Sequence, residues 1–197
     1  MSGTIHFLYP GDIDTPTGGY AYDRKLVAAM REEGLTVETI SLGKGYPAPS
    51  GTALKRAEAA FAEIADGSTA IVDGLAFGVL DEVAEAQHKR LYLVALVHHP
   101  LALETGLDAR RSELLRQSET RALAAADAVI ATSRATADTL AAEFGVTLDK
   151  ITVAEPGLDP ATPARGRNDG KIGLIAVGSL VPRKDYATLV AALARPG

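Results

Sequence analysis

The chain has 197 residues, 47% hydrophobic and 23% charged, with a formal net charge of −5. Such a composition suits a globular protein with a sizeable core and argues against a broad nucleic-acid face, which needs excess Lys and Arg. Cysteine is absent, which excludes disulfides, thiolate metal sites and cysteine nucleophiles and fits a cytoplasmic protein.

The first residues read as a strand rather than as a secretory leader. No window reaches the roughly 18 uninterrupted apolar residues of a membrane helix, although peripheral contact with the inner face of a membrane stays open. Thr4 to Tyr9 is short and rich in strand formers, and it ends at the turn signal Pro10-Gly11. It is read as a first, central strand. After the polar loop Asp12 to Thr17, Gly18-Gly19 opens a run in which Leu26, Val27 and Met30 repeat at helical spacing. Gly34 stands where a helix C-cap belongs. Leu35 to Leu42 predicts a second strand and Thr52 to Asp66 an Ala-rich helix. Ser68 to Val72 predicts a third strand and Ala76 to His88 a third helix.

Leu91 to Val97 is apolar at every position, the mark of a parallel strand buried on both faces. It ends in His98-His99-Pro100. Ala109 to Ala125 reads as a long helix, Ala128 to Ala131 as a short buried strand, and Ser133 as the N-cap of a helix from Ala135 to Phe144 closed by Gly145. Ile151 to Ala154 is the last strand before a Pro- and Gly-rich stretch. Strand and helix alternate throughout, which is the signature of an α/β, doubly wound, Rossmann-like parallel sheet. The expected organisation is a first domain over 1–156, a linker over 157–170, and one strand-helix unit of a second domain over 171–197.

Ligands of open parallel sheets bind outside the carboxyl ends of the strands, so four clusters matter: Asp12 to Gly19, Asp73-Gly74, His98-His99 and Gly178 to Lys184. Gly18 and Gly19 would let a phosphate approach the backbone at a helix start, or they form a flexible turn. Asp12 and Asp14 could hold a divalent cation, but such spacing is common by chance in polar loops. One of His98 and His99 would donate to a sugar hydroxyl or phosphate oxygen, or both are core or loop histidines. Adjacent residues on an extended chain point in opposite directions, so at most one faces a ligand. Arg183 and Lys184 suit a diphosphate, or form a solvated loop pair. No Gly-x-Ser-x-Gly elbow and no Walker loop is present.

In their order and spacing, several motifs together resemble glycosyltransferase family 4, retaining enzymes of the two-Rossmann-domain GT-B fold. They are Thr17-Gly18-Gly19, Val97-His98-His99-Pro100, Asp127 to Ser133, Ile151 to Asp159, and Ala176 to Lys184. The resemblance implies an acceptor-binding N-terminal domain, a nucleotide-sugar-binding C-terminal domain, and no divalent metal at the transfer step. It implies that Gly18 and Gly19 approach the donor diphosphate and that His98 contacts the donor sugar. Lys184, with Arg183, would offset the diphosphate charge. Many members carry arginine where this chain has Ser179, so either Arg183 takes over that role or the site is weaker.

The family's paired glutamates, eight positions apart, would lie beyond Gly197, so the chain is expected to be an incomplete and inactive portion. Its terminal apolar residues, Leu174, Ile175, Val177, Leu189, Val190 and Leu193, would be largely exposed, so this piece is expected to be disordered, docked against the first domain, or exchanged with a second copy. Competing readings are a non-catalytic binding protein for a phosphorylated or sugar ligand, and a sugar-nucleotide epimerase of the same architecture.

Overall fold

The structure, a computed structural model, describes residues 3–166, 170, 172–178 and 180–194. They divide into two units, one ending at Pro156 and one starting at Gly157. The first is built from six parallel strands: β1 (Ile5–Tyr9), β2 (Val37–Ser41), β3 (Thr69–Asp73), β4 (Tyr92–Val97), β5 (Ala128–Ala131) and β6 (Ile151–Val153). Their order across the sheet is β2-β1-β3-β4-β5-β6. The connecting helices are α1 (Gly18–Glu32), α2 (Gly51–Ala62), the short pair α3 (Gly74–Phe77) and α4 (Asp81–Gln87), α5 (Ala109–Ala125) and α6 (Arg134–Phe144).

The helices begin where the sequence supplies caps. Side chains of Thr17, Ser50, Asp108 and Ser133 accept the backbone N–H three residues on, satisfying donors that have no partner within the helix. Gly34 (φ 83°) takes the left-handed turn that ends α1, and Leu35 N–H bonds back to Met30. That is the Schellman closure, which a residue with a Cβ resists.

Because side chains alternate along a strand, the sheet sorts its core into two layers. Phe7, Ile71, Val94 and Leu96 pack under α1 with Val27 and Val37. Leu8, Val72, Leu93, Ala95 and Val129 pack on the opposite side with residues of α2 to α6. The right-handed crossover rule explains the imbalance. One connection, from β1 to β2, steps outward in one direction, and every later one steps the other way. Only α1 is therefore sent to its face.

Arg90 shows how one side chain closes several elements. Its guanidinium donates to the carbonyl of Phe61 in the last turn of α2 and to that of Ile64 just beyond the helix at 2.6 Å, and it pairs with Asp66 at 2.9 Å. Arg90→Ala is expected to cost about 2 kcal/mol, because those carbonyls lose a charged donor. Arg90→Lys should recover less than half, since one ammonium cannot span the same acceptors. Urea unfolding of the three proteins checks both values.

Several expectations need correction. β1 lies second from the sheet edge, and β3 and β4 are central. The helix expected from Ala76 to His88 is broken into α3 and α4, because the backbone leaves the helical region at Leu80 (φ −113°, ψ 35°). The strand expected to open the unit over 171–197 is not formed among the described residues. Residues 172–177 have no regular structure, and Ile175 and Val177 are each 89% exposed. A parallel strand exists only through hydrogen bonds to a neighbour, and the second unit offers no other strand among its described residues. Its regular elements are a 3-10 turn, Pro182–Lys184, and α7 (Tyr186–Leu193). Leu174, Leu189, Val190 and Leu193 are exposed, as expected. Among the described residues, no helix is long and apolar enough to cross a membrane.

Candidate functional site

The chain leaves β1 for β2 on one side and returns past it to β3 on the other, so strand order reverses between β1 and β3. The crevice outside the carboxyl ends of strands at such a reversal is where open α/β sheets bind ligands. Three elements deliver polar side chains there. α1 carries Asp23 one turn in from its start, β3 ends on Asp73, and β4 hands over directly to His98.

His98 Nε2 lies 3.0 Å from Asp23 Oδ1 and 3.9 Å from Asp73 Oδ2. Asp23 is fully buried and Asp73 nearly so, whereas the His98 side chain keeps 27% exposure and forms the accessible edge of the cluster. The ring of Tyr22 stands edge-on to the imidazole, with centroids 5.3 Å apart, and its hydroxyl donates to the carbonyl of Ala154 at 2.8 Å. The Tyr20 hydroxyl donates to Pro10 at 2.7 Å, tying the start of α1 to the end of β1. Burial pushes both phenols above their ordinary value, and nearby carboxylates push the same way.

Two carboxyl groups packed together in the interior cannot both ionise cheaply. Burial first, and then the charge of Asp23, push Asp73 up to about 7. His98 is drawn down by burial, but its hydrogen bond to Asp23 and the charges of Asp23 and Asp73 outweigh that and raise it. One Asp73 oxygen accepts the Leu75 N–H at 2.7 Å, capping α3.

A third buried acid supports the loop that carries the histidine. Glu119 of α5 accepts the N–H groups of Leu101 at 3.0 Å and Ala102 at 3.3 Å. These residues open the 3-10 turn Leu101–Leu103 immediately after His98-His99-Pro100. Burial pushes Glu119 up to about 7 against those two hydrogen bonds.

Gly19 and His98 are brought together: a Cβ on Gly19 would sit 3.5 Å from His98 Cδ2. Gly18 begins α1 with open space where its Cβ would be. His99 is turned toward its own loop, with Nε2 3.4 Å from the Leu103 carbonyl. Asp12 and Asp14 form a local turn in which Asp12 Oδ1 accepts the Asp14 N–H. In the second unit, Lys184 is exposed at the end of its 3-10 turn, beside the left-handed Asp185 that caps α7. Ser179 and the side chain of Arg183 lie outside the described residues.

The sequence reading passed over Asp23 and Glu119 and gave Asp73 no role. A signal was present. Asp23 stands in register with Val27 and Met30 on the core stripe of α1, and Glu119 with Leu115 and Ala122 on that of α5. A carboxylate on an apolar stripe is costly to bury and therefore informative. The ligating atoms of Asp23, Asp73 and His98 lie within 4.8 Å of one another, close enough to hold a cation. A proton held between the two carboxyl groups satisfies the same atoms.

A family model described as Glycosyltransferase Family 4 matches residues 71–162. This segment, just under half of the chain, is similar to glycosyltransferase family 4. It runs from within β3 to beyond β6 and so carries the Asp73, His98 and Glu119 portions of the site. No curated protein matches the chain. The match supports a protein of the glycosyltransferase kind, set on a Rossmann-like parallel sheet.

Proposed function

We propose that the chain takes part in sugar transfer from a nucleotide-sugar donor to an acceptor, with retention of anomeric configuration, and that residues 1–156 form the acceptor-side domain. The observation that carries this reading is the meeting of His98 and Gly19 at the strand-order reversal. A bare backbone, the free amides of a helix start and a cationic imidazole converge on one edge there. That combination suits an anionic diphosphate and a hydroxyl-rich sugar. The His98 ring contacts the donor sugar. Gly18 and Gly19 leave room for phosphate oxygens, and Arg183 and Lys184 add positive charge for the leaving nucleoside diphosphate. No divalent metal is required at the transfer step, because these cations and amides take over its electrostatic role.

Binding tests the reading without an acceptor. Ligand-observed NMR with a panel of UDP-, GDP- and ADP-hexoses should find at least one that contacts the protein. His98→Ala and Gly19→Val should each weaken that contact by about tenfold or more, the size of one lost charged hydrogen bond. The proposal fails if every nucleotide sugar is silent at millimolar concentration, or if binding is indifferent to both substitutions.

A further inference from the structure

Asp23 is fully buried in α1, yet its Oδ2 has no hydrogen-bond partner while Oδ1 is taken by His98 Nε2. A carboxylate oxygen left bare in the interior is expensive. An oxygen of the adjacent Asp73 carboxyl lies within 4.8 Å of the Asp23 carboxylate and of His98, and a single proton on it supplies the missing donor. The chain of contacts then closes without an orphan: Asp73 donates to Asp23, and Asp23 accepts from His98. The formal charges also balance, one carboxylate against one imidazolium. With Nε2 engaged inward, the other ring nitrogen, Nδ1, makes no hydrogen bond among the described residues.

We propose that Asp23 and Asp73 are positioning residues that share one proton, fix His98 Nε2–H on Asp23 and present Nδ1–H at the strand edge as a hydrogen-bond donor. This rests on the assignment of that edge to the sugar donor, and it narrows what His98 selects: a lone-pair oxygen on the ligand, a sugar hydroxyl or a phosphate, rather than a donating group. Direct protonation of Asp73 explains why two acids from different elements can be buried together. The other titratable groups around the cluster are Tyr20 and Tyr22 of α1, Tyr9 at the end of β1 and Asp12 in the following loop. Burial raises the phenols of Tyr20 and Tyr22 above their ordinary value, and Asp12 is exposed.

The test is heteronuclear NMR of the imidazole nitrogens in the full chain, from about pH 5 to about pH 9, a range that brackets the ordinary histidine value of about 6.5. His98 is assigned by His98→Gln. Both of its ring nitrogens should stay protonated above the ordinary value. Asp73→Asn, which mimics the neutral acid, should leave the His98 midpoint within about threefold in proton affinity. Asp23→Asn should lower that affinity about tenfold, equivalent to one pKa unit.

A His98 that titrates at or below the ordinary value overturns the proposal. So does an Asp73→Asn protein whose His98 falls as far as in Asp23→Asn, since that result means both acids were ionised. Stoichiometric perturbation of the His98 signals by added Zn²⁺ would replace the shared proton with a cation site. If Asp23→Asn fails to fold by circular dichroism, the wild-type and Asp73→Asn titrations still decide. No sugar donor enters these measurements, so their failure is separable from failure of the nucleotide-sugar binding experiment.

Discussion

Gly74→Ala should destabilise the first unit by about 3 kcal/mol, the cost of forcing a methyl into a packed site that cannot yield. A Cβ at this position would stand 2.8 Å from the carbonyl oxygen of Leu96 and 3.3 Å from Val97 Cα. Both neighbours are backbone of β4, at the centre of the sheet, so no rotamer change relieves the contact. The strain falls between Asp73, which precedes the glycine, and His98, which follows Val97. Separating them should loosen the Asp73–Asp23–His98 arrangement as well as the fold.

Gly19→Ala is the matched control, because its nearest neighbour is the His98 ring at an ordinary 3.5 Å. Alanine also gains helix propensity of up to about 1 kcal/mol, so that protein should be as stable as the parent. Thermal unfolding separates the two cases by roughly 6–12 °C for a domain of this size. A Gly74→Ala protein within about 1 kcal/mol of the parent would show that α3 can lift from β4 freely, contrary to the close packing described.

Periodicity made the architecture legible but left the acid cluster hidden, for separable physical reasons. Strands buried on both faces show themselves as unbroken apolar runs, so β4 and β5 were visible to within one residue or were matched outright. α5 and α6 were equally plain, because caps at Asp108, Ser133 and Gly145 bracket their apolar repeats. The place of His98 was legible because it follows a fully buried strand, and position alone carries it to the carboxyl edge of the sheet. What failed was inference that depends on partners. Residues 172–177 have the composition of a strand, but composition cannot supply the neighbour that makes one. Asp23 and Glu119 were passed over, although their register with Val27 and Leu115 placed them inside.

The same buried acids give the protein an unusual dependence on pH: stability should fall as pH rises from about 5 to about 8. Asp73 moves from 3.8 in a solvated chain to about 7 in the fold, and Glu119 from 4.5 to about 7. Between those limits the native state holds protons that the unfolded chain has released. Stability therefore declines through this window and levels off once both acids are ionised. His98 adds the same sign at higher pH, because its folded value is raised above 6.5. Its contribution is complete below that value and is lost as pH climbs through the raised one. Asp81 opposes them only in acid. It pairs with Arg121 and accepts from Ser118 at 2.8 Å, and these contacts outweigh burial and lower its value, so its support disappears below about 3.8.

Glu119→Gln isolates one contributor. The amide oxygen still accepts an N–H from Leu101 or Ala102, while the ionisation that opposes folding at high pH is removed. Relative to the parent, the variant should be destabilised at pH 5 and equal or more stable at pH 8. The swing should be about 2–3 kcal/mol, corresponding to roughly two pKa units of linkage. Urea titrations of both proteins at the two pH values measure it directly. Parallel stability curves for parent and variant would mean that Glu119 is ionised throughout and that the turn after His98 is held by a charge rather than by a neutral acid.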